Sequence, residues 1–390
     1  MQAWVVREDG EPGAVLALEE VPEPDPSMLT GLKLDLAGWV TDPTAAGPHE
    51  ALGSDDPAER ALFERRSAAV AERPAYEDWV LLRVHVAALA LPDVTMARGT
   101  YPVRVARPYV TGQEAVGEVI AAPPAKADLV GRRVVAVTMQ PWGSLAPVSV
   151  GVGPVFEVPD GMSDSDAAGF VIPAHTGYHA AIRRGQVRAG ETVVVLGAAG
   201  GLGSAMVQLA AARGCEVVAV VGNEEKAEHA RGLGAQTAVV HAGGDVAAAV
   251  RAVIGGAPVH VVLDPVQGEM GASARTLLAP DGRWVICGHA GGLRPIDPHF
   301  YMANHTIVGA TLGGYGRDVM RAMEAEAQEA VVAWWQEGKF RPVTTEVVPF
   351  TAVPDACTAL AERRTRGRVV VQVGDEQVGD VQVGDVQVGE

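Results

Sequence analysis

The chain has 390 residues and a formal net charge of -17, with 48% hydrophobic and 20% charged residues. That length suits two domains and a large core, and the composition is that of a globular protein. The acidic balance excludes sequence-independent nucleic-acid binding, which needs clustered Lys and Arg to track phosphates. Cys215, Cys287 and Cys357 are too few and too scattered for a disulfide framework or a structural zinc set, and they suit a reducing cytosol.

No basic segment followed by an apolar run opens the chain, so no signal peptide is expected. Met1 to Val6 and Ala14 to Val21 read as paired strands joined by the Asp9-Gly10 turn, with Pro22, Pro24 and Pro26 ending the second. Residues 27–76 break the pattern. Ser54-Asp55-Asp56-Pro57 carries a capping side chain and a first-turn proline, and so predicts a helix through the charged stretch after it. Leu29, Leu32, Leu34, Leu36, Trp39 and the Leu62-Phe63 pair are too apolar to leave in water, so this insertion is expected to fold. We expect it to shape a substrate entrance or a subunit contact, padding of the outer surface being the bland alternative.

Strand alternation resumes at Glu77 to Ala90 and continues through Tyr109 to Ala121 and Arg133 to Val137 as an antiparallel β region. Asp164 to Arg184 reads as helical, with a break at Pro173. From Glu191 to Lys226 the chain reads as strand, glycine turn, helix, strand and polar turn, a mononucleotide-binding βαβ half. Thr192 to Leu196 is short, apolar and β-branched, as a parallel strand buried on both faces should be. Ala198-Ala199-Gly200-Gly201-Leu202-Gly203 then fills the G-x-G-x-x-G frame with Ala in its first position. Gly200 lets backbone approach a pyrophosphate, Gly203 lets the helix pack on the strand, and the helix N-terminus offers N–H groups to the anion. The uncharged run Thr192 to Ala212 is long enough to span a bilayer, but four glycines interrupt it and no second such segment follows.

Short apolar runs at Ala235 to His241, Val259 to Leu263 and Arg283 to Cys287, separated by helical segments, complete a parallel sheet. A helix follows over Val319 to Gly338, then strands over Val343 to Val348 and Arg368 to Val373. The fold class is therefore α/β. A Rossmann-type doubly wound parallel sheet domain (residues 161–305) is inserted into a β-rich domain built from residues 1–160 and 306–373. The five-residue repeats in 374–390 are acidic and have no partner strand, so a disordered tail is expected.

These residues together resemble the medium-chain dehydrogenase/reductase superfamily, and in particular its zinc-free quinone oxidoreductase and enoyl reductase branch. Gly112-Gln113-Glu114-Ala115-Val116-Gly117-Glu118-Val119 is similar to the family's G-x-E-x-x-G-x-V turn, and Val130-Gly131-Arg132-Arg133-Val134 to its VGDRV strand. Thr176-Gly177-Tyr178 is similar to its T-A-Y helix start. Ala199 to Gly203, Gly282-Arg283, Gly288, Asn304 and Arg364-Thr365-Arg366-Gly367-Arg368 follow in the family's order. The resemblance implies a GroES-like β-rich catalytic domain, a cytoplasmic location, a homodimer and a small-molecule substrate. It also implies a dinucleotide held by Thr176, Ala199, Gly200, Gly201, Leu202, Gly203, Asn223, Lys226, Gly288 and Asn304.

Zinc-dependent relatives carry His where Gln113 stands and a cysteine about twenty residues earlier, where Leu91, Pro92 and Asp93 offer at most one carboxylate. A catalytic zinc needs about three protein ligands, so no metal site is expected. Hydride reduction of a quinone or an activated double bond is the chemistry left. In related enoyl reductases a tyrosine in a G-x-Y-P segment donates the proton, and Gly99-Thr100-Tyr101-Pro102 makes Tyr101 the candidate catalytic residue here, a pocket wall being its lesser role. The family's polar Asn before that tyrosine is replaced by Ala90 or Leu91, and an intervening tyrosine by Thr95, so a catalytically altered NADPH-binding protein is the competing reading. His175, His179, His289 and His305 lie near cofactor-facing segments of the family; for His175 a packing role outweighs proton transfer. The second strand ends on Gly222 where an NAD site wants Asp or Glu, and Asn223 and Lys226 follow, which points to NADPH.

Overall fold

The structure is a computed structural model and describes residues 1–29, 78–101, 105, 107–138, 140–241, 243–315 and 317–374. Most of the insertion, including the helix expected after residue 54, and the repeats after residue 374 lie outside the described residues.

In chain order the strands before the glycine turn are β1 (Gln2–Val6), β2 (Leu16–Glu20), β3 (Trp79–Leu89), β4 (Tyr109–Val110), β5 (Glu114–Ala121), β6 (Arg133–Thr138) and β7 (Val148–Glu157). β1 and β2 pair antiparallel, but Pro12–Val15 forms a helical turn between them with Pro12 at its start, so Ala14 and Val15 are not strand. β4 adds to the free edge of β1. The long strand β3 pairs with both β5 and β7, and β6 joins β5 to β7, so β3, β5, β6 and β7 close into a ring. β7 is hard to read from sequence because Gly151, Gly153 and Pro154 interrupt its pattern.

The parallel sheet holds β8 (Thr192–Leu196), β9 (Glu216–Val221), β10 (Thr237–Val240), β11 (Val259–Asp264), β12 (Leu278–Ile286) and β13 (Thr306–Gly309), in the order β10-β9-β8-β11-β12-β13. Its last strand lies past residue 305, so the sheet extends beyond the boundary expected from the sequence. Alternation along β8 sends Val193 and Val195 into a cluster with Met206, Val207 and Ala210, and Val194 and Leu196 into another with Val246, Val250 and Ala274. Helices therefore cover both faces, which is why β8 is apolar throughout. β14 (Thr344–Pro349) and β15 (Arg368–Gln372) return to the ring, β15 pairing with β3.

The expected helix over Asp164 to Arg184 is broken at Ala168 to Phe170 rather than at Pro173. Pro173 sits in the first turn of the helix Val171–Tyr178, where its missing N–H leaves no intrahelical bond unmade. That helix runs on into a π-helical turn, His179–Arg184.

One buried ion pair ties these pieces together. Arg368 of β15 donates to Glu114 of β5 at 2.9 Å, with the side chains 8% and 0% exposed. The other Glu114 oxygen accepts the backbone N–H groups of Val171 and Ile172 at 2.8 and 3.3 Å, so the carboxylate also caps the helix Val171–Tyr178. Burial pushes the Glu114 carboxyl up to about 7, against the opposing pull of Arg368 and the two helix amides. Removing one partner of such a pair leaves an uncompensated buried charge. Glu114→Leu should therefore lower the unfolding free energy by about 3–5 kcal/mol in denaturant melts, while Glu114→Leu with Arg368→Met should recover most of that loss.

Candidate functional site

β8 runs into Gly197, whose φ of 59° turns the chain left-handed, and Gly200 then caps the helix Gly201–Ala212. A Cβ on Gly203 would lie 2.1 Å from the Gly197 carbonyl oxygen, so only glycine lets this helix sit so close to its strand. Gly201 is constrained from the other side, its missing Cβ lying 2.5 Å from the Arg368 Cδ. Gly200 is exposed, and a Cβ there would meet only the Gly197 carbonyl oxygen at an ordinary 3.6 Å; Leu202 is half-buried and Ala199 is buried. The turn thus presents first-turn N–H groups of a helix at an accessible edge, an arrangement suited to an anion.

Gly222 follows β9 with nothing within 4 Å of an added Cβ, so no acid side chain stands there and the space is open. Asn223 caps the next helix, Glu224–Gly232, its side chain accepting the Lys226 N–H at 2.9 Å. The Lys226 ammonium donates to the Arg363 carbonyl oxygen at 2.6 Å, and burial and the nearby Arg363 charge both lower its pKa. Gly288 follows β12, where a Cβ would meet the Pro265 carbonyl at 2.5 Å. Gly197, Gly222, Pro265 and Gly288 each lie just past the carboxyl end of a parallel strand, the edge at which open α/β sheets bind ligands. Thr176 is half-buried on the helix Val171–Tyr178, which packs closely on the glycine-turn helix where Gly177 meets Leu209 and Ala205.

Asn304 does not join this group. It precedes the amino end of β13, which runs parallel to β12, and the neighbouring His305 bonds the Leu278 carbonyl at the start of β12, so Asn304 lies toward the opposite edge of the sheet. Its φ of 53° serves the turn into β13. His305 stays with it, bonded to the Leu278 carbonyl at 3.2 Å. His175 is fully buried, bonded to Gln328 at 2.9 Å and set edge-on to Phe156; burial pushes its pKa down to about 4. His179 is likewise pushed down to about 4 by burial, with Tyr315 edge-on. Both are neutral packing residues. His289 lies on the loop after β12.

On the β-rich side, the helix Leu91–Ala97 begins after β3, and Asp93 accepts the Ala90 N–H at 2.8 Å in its first turn. Burial pushes the Asp93 carboxyl up to about 6, with Arg368 opposing. Thr95 spends its hydroxyl on the Pro92 carbonyl at 3.1 Å, and the Gln113 amide points to the Met96 sulfur at 3.6 Å. The Tyr101 ring is half-buried against the cluster that holds Met96 and Tyr109, and burial together with Asp93 raises its phenol pKa. Arg368 joins the two sides: its stem crosses Gly201 of the glycine turn, and its charge acts on both Glu114 and Asp93. Sequence reasoning missed the roles of Asp93, Glu114 and Arg368. Their signals were an acid four residues past a strand end, and a charge at the first position of each of two largely apolar strands.

Two family models match the chain, the alcohol dehydrogenase GroES-like domain over residues 76–250 and the zinc-binding dehydrogenase over residues 201–329. The solved quinone oxidoreductase of Thermus thermophilus, determined alone and in complex with NADPH, is 29% identical to this chain; it aligns over 96% of this chain and 100% of its own, with a TM-score of 0.70. The chain belongs to the medium-chain dehydrogenase/reductase superfamily. Its place is in the quinone oxidoreductase branch. Quinone oxidoreductase-like protein 2 of Rattus norvegicus is 29% identical over 78% of this chain and 87% of its own length. A segment of erythronolide synthase from Saccharopolyspora erythraea is 32% identical over 72% of this chain, though that is 8% of the synthase.

Another buried acid lies in this medium-chain dehydrogenase fold, on the helix Arg317–Gln336. Glu324 is 4% exposed, one of its oxygens has no hydrogen-bond partner, and burial pushes its carboxyl up to about 8. A carboxyl with a raised folded-state pKa binds its proton more tightly folded than unfolded, so its stabilising contribution fades as pH rises from the unfolded value toward 8. Glu324→Gln should therefore gain stability over the parent as pH is raised from about 5 to about 9, measured as the difference between their denaturant melts.

Proposed function

We propose that this protein is a zinc-independent, NADPH-dependent reductase of a quinone or of an activated double bond in an enone or enoyl thioester. The observation that carries the proposal is the glycine turn, where Gly203 holds a helix N-terminus against β8 beside an open Gly222 and the Lys226 ammonium. Ala199, Gly200, Gly201, Leu202 and Gly203 would hold the pyrophosphate, and Asn223 and Lys226 would take the 2′-phosphate, where an NAD site would place an acid. Gly288 and Thr176 would border the rest of the dinucleotide. When bound, the reduced nicotinamide supplies the hydride. The NADPH complex of the Thermus relative supports the choice of cofactor.

The donor set supports the zinc-free half of the reading. Gln113 stands where a histidine ligand would be needed and is turned to Met96, and Asp93 offers a single carboxylate, one oxygen of which caps its own helix. Among the described residues no three His, Cys, Asp or Glu side chains gather.

Tyr101 would then face the substrate. Burial and Asp93 keep its phenol protonated, the state a donor to a developing enolate carbon must be in. A competing reading, a dinucleotide-binding protein without turnover, draws on Ala90 and on Thr95, whose hydroxyl is tied to its own helix. We also read the protein as a cytosolic homodimer. Its three cysteines are free thiols, and Tyr301 and Met302 are exposed just before the outer strand β13.

NADPH oxidation with a panel of quinones, enones and enoyl thioesters tests the proposal, and no turnover with any of them would leave the binding-only reading. Tyr101→Phe should lower turnover about 10²-fold with NADPH affinity unchanged; full activity would reduce Tyr101 to a wall of the pocket. Lys226→Ala should weaken NADPH about tenfold while sparing NADH, by isothermal titration.

A further inference from the structure

The segment Arg363–Gly367, just before β15, touches the loops after β8, β9 and β12 at the carboxyl edge of the parallel sheet. Gly367 donates its N–H to the Ala199 carbonyl of the glycine turn at 2.7 Å and forms a bridge with Gly200. The Arg363 carbonyl receives the Lys226 ammonium at 2.6 Å, and the Arg363 guanidinium reaches the Ala290 carbonyl, after β12, at 3.3 Å. The segment is held in shape from behind: Thr345 donates to the Arg366 carbonyl at 2.5 Å, and Arg363 and Gly367 both take left-handed φ values, 59° and 51°.

Its charges answer a difficulty in the βαβ turn. Glu224 and Glu225 directly follow Asn223, where a 2′-phosphate carrying nearly two negative charges would be repelled. Glu224 is paired with Arg231 of its own helix at 2.7 Å, but Glu225 is paired with Arg366 of the C-terminal segment at 2.9 Å. In a chain of net charge -17, Lys226, Arg363 and Arg366 thus gather at one turn. Burial chiefly, helped by Arg366 and Arg341, holds the adjacent His229 neutral, down to about 4.

We propose that this C-terminal strap is the second wall of the dinucleotide phosphate site and sets the preference for a 2′-phosphorylated nicotinamide dinucleotide. Arg363 adds a cation beside Lys226, and Arg366 cancels the Glu225 carboxylate. Lys226 acts there as a positioning residue as well as a phosphate ligand, because its ammonium pins the strap by the Arg363 carbonyl. The inference rests on the dinucleotide-binding reading above.

The test is titration of full-length variants with NADPH and, separately, NADH, each variant first shown to melt like the parent. Arg363→Ala and Arg366→Ala should each weaken NADPH about tenfold with NADH changed by less than about twofold. Adding Glu225→Gln to Arg366→Ala should restore most of the NADPH affinity, which a merely structural role for Arg366 would not allow. Unchanged NADPH affinity in both single variants, equal weakening of the two dinucleotides, or no rescue by Glu225→Gln would each overturn the strap. If the parent itself bound NADPH no better than NADH, the underlying cofactor reading would fall instead.

Discussion

The Glu114–Arg368 pair is the constraint to which the rest of the molecule conforms. Two charges taken out of water are tolerated only where they hold each other and gain further hydrogen bonds. Here the carboxylate divides its oxygens between a guanidinium and the first turn of a helix, so one side chain fixes β5, β15 and the helix Val171–Tyr178 together. Gly169 and Gly201 are needed along the way, because the arginine passes within 2.9 Å and 2.5 Å of where their Cβ atoms would be. The glycine at the mouth of the turn thus serves the packing of Arg368.

The parallel sheet was legible because its strands bury both faces and therefore carry unbroken apolar runs, which few other structures require. The glycine turn was legible for a related reason: Gly203 cannot be exchanged without moving a helix off its strand. What failed was short or ambiguous. β13 has four residues, too few for a pattern, and its omission misplaced both the domain boundary and Asn304. The Pro173 break was wrong because a proline ends a helix only from its interior, and Pro173 stands in a first turn.

The substrate side shows the limit of motif reasoning more sharply. Tyr101 could be singled out as a candidate from a four-residue motif, but the buried Asp93 that raises its phenol pKa, and the Arg368 that acts on Asp93, could not. Asp93 comes from the start of a helix and Arg368 from the last described strand, 275 positions later by residue number. Residues so far apart are related only by the folded chain. Gln113 illustrates the converse: its replacement of a histidine was plain in the sequence, whereas its amide turning to Met96 was not.

The bond from Gly367 to the Ala199 carbonyl carries a consequence for how the protein matures on the ribosome. The nucleotide half from β8 to β13 emerges more than fifty residues before Gly367 is made, and until then the Ala199 carbonyl lacks its partner and Gly201 lies uncovered by Arg368. A nascent chain can therefore stack its parallel sheet early, yet its glycine turn reaches final form only when the closing strand β15 has docked. A chain cut short of residue 367 would carry the glycine fingerprint without the bond that closes its turn.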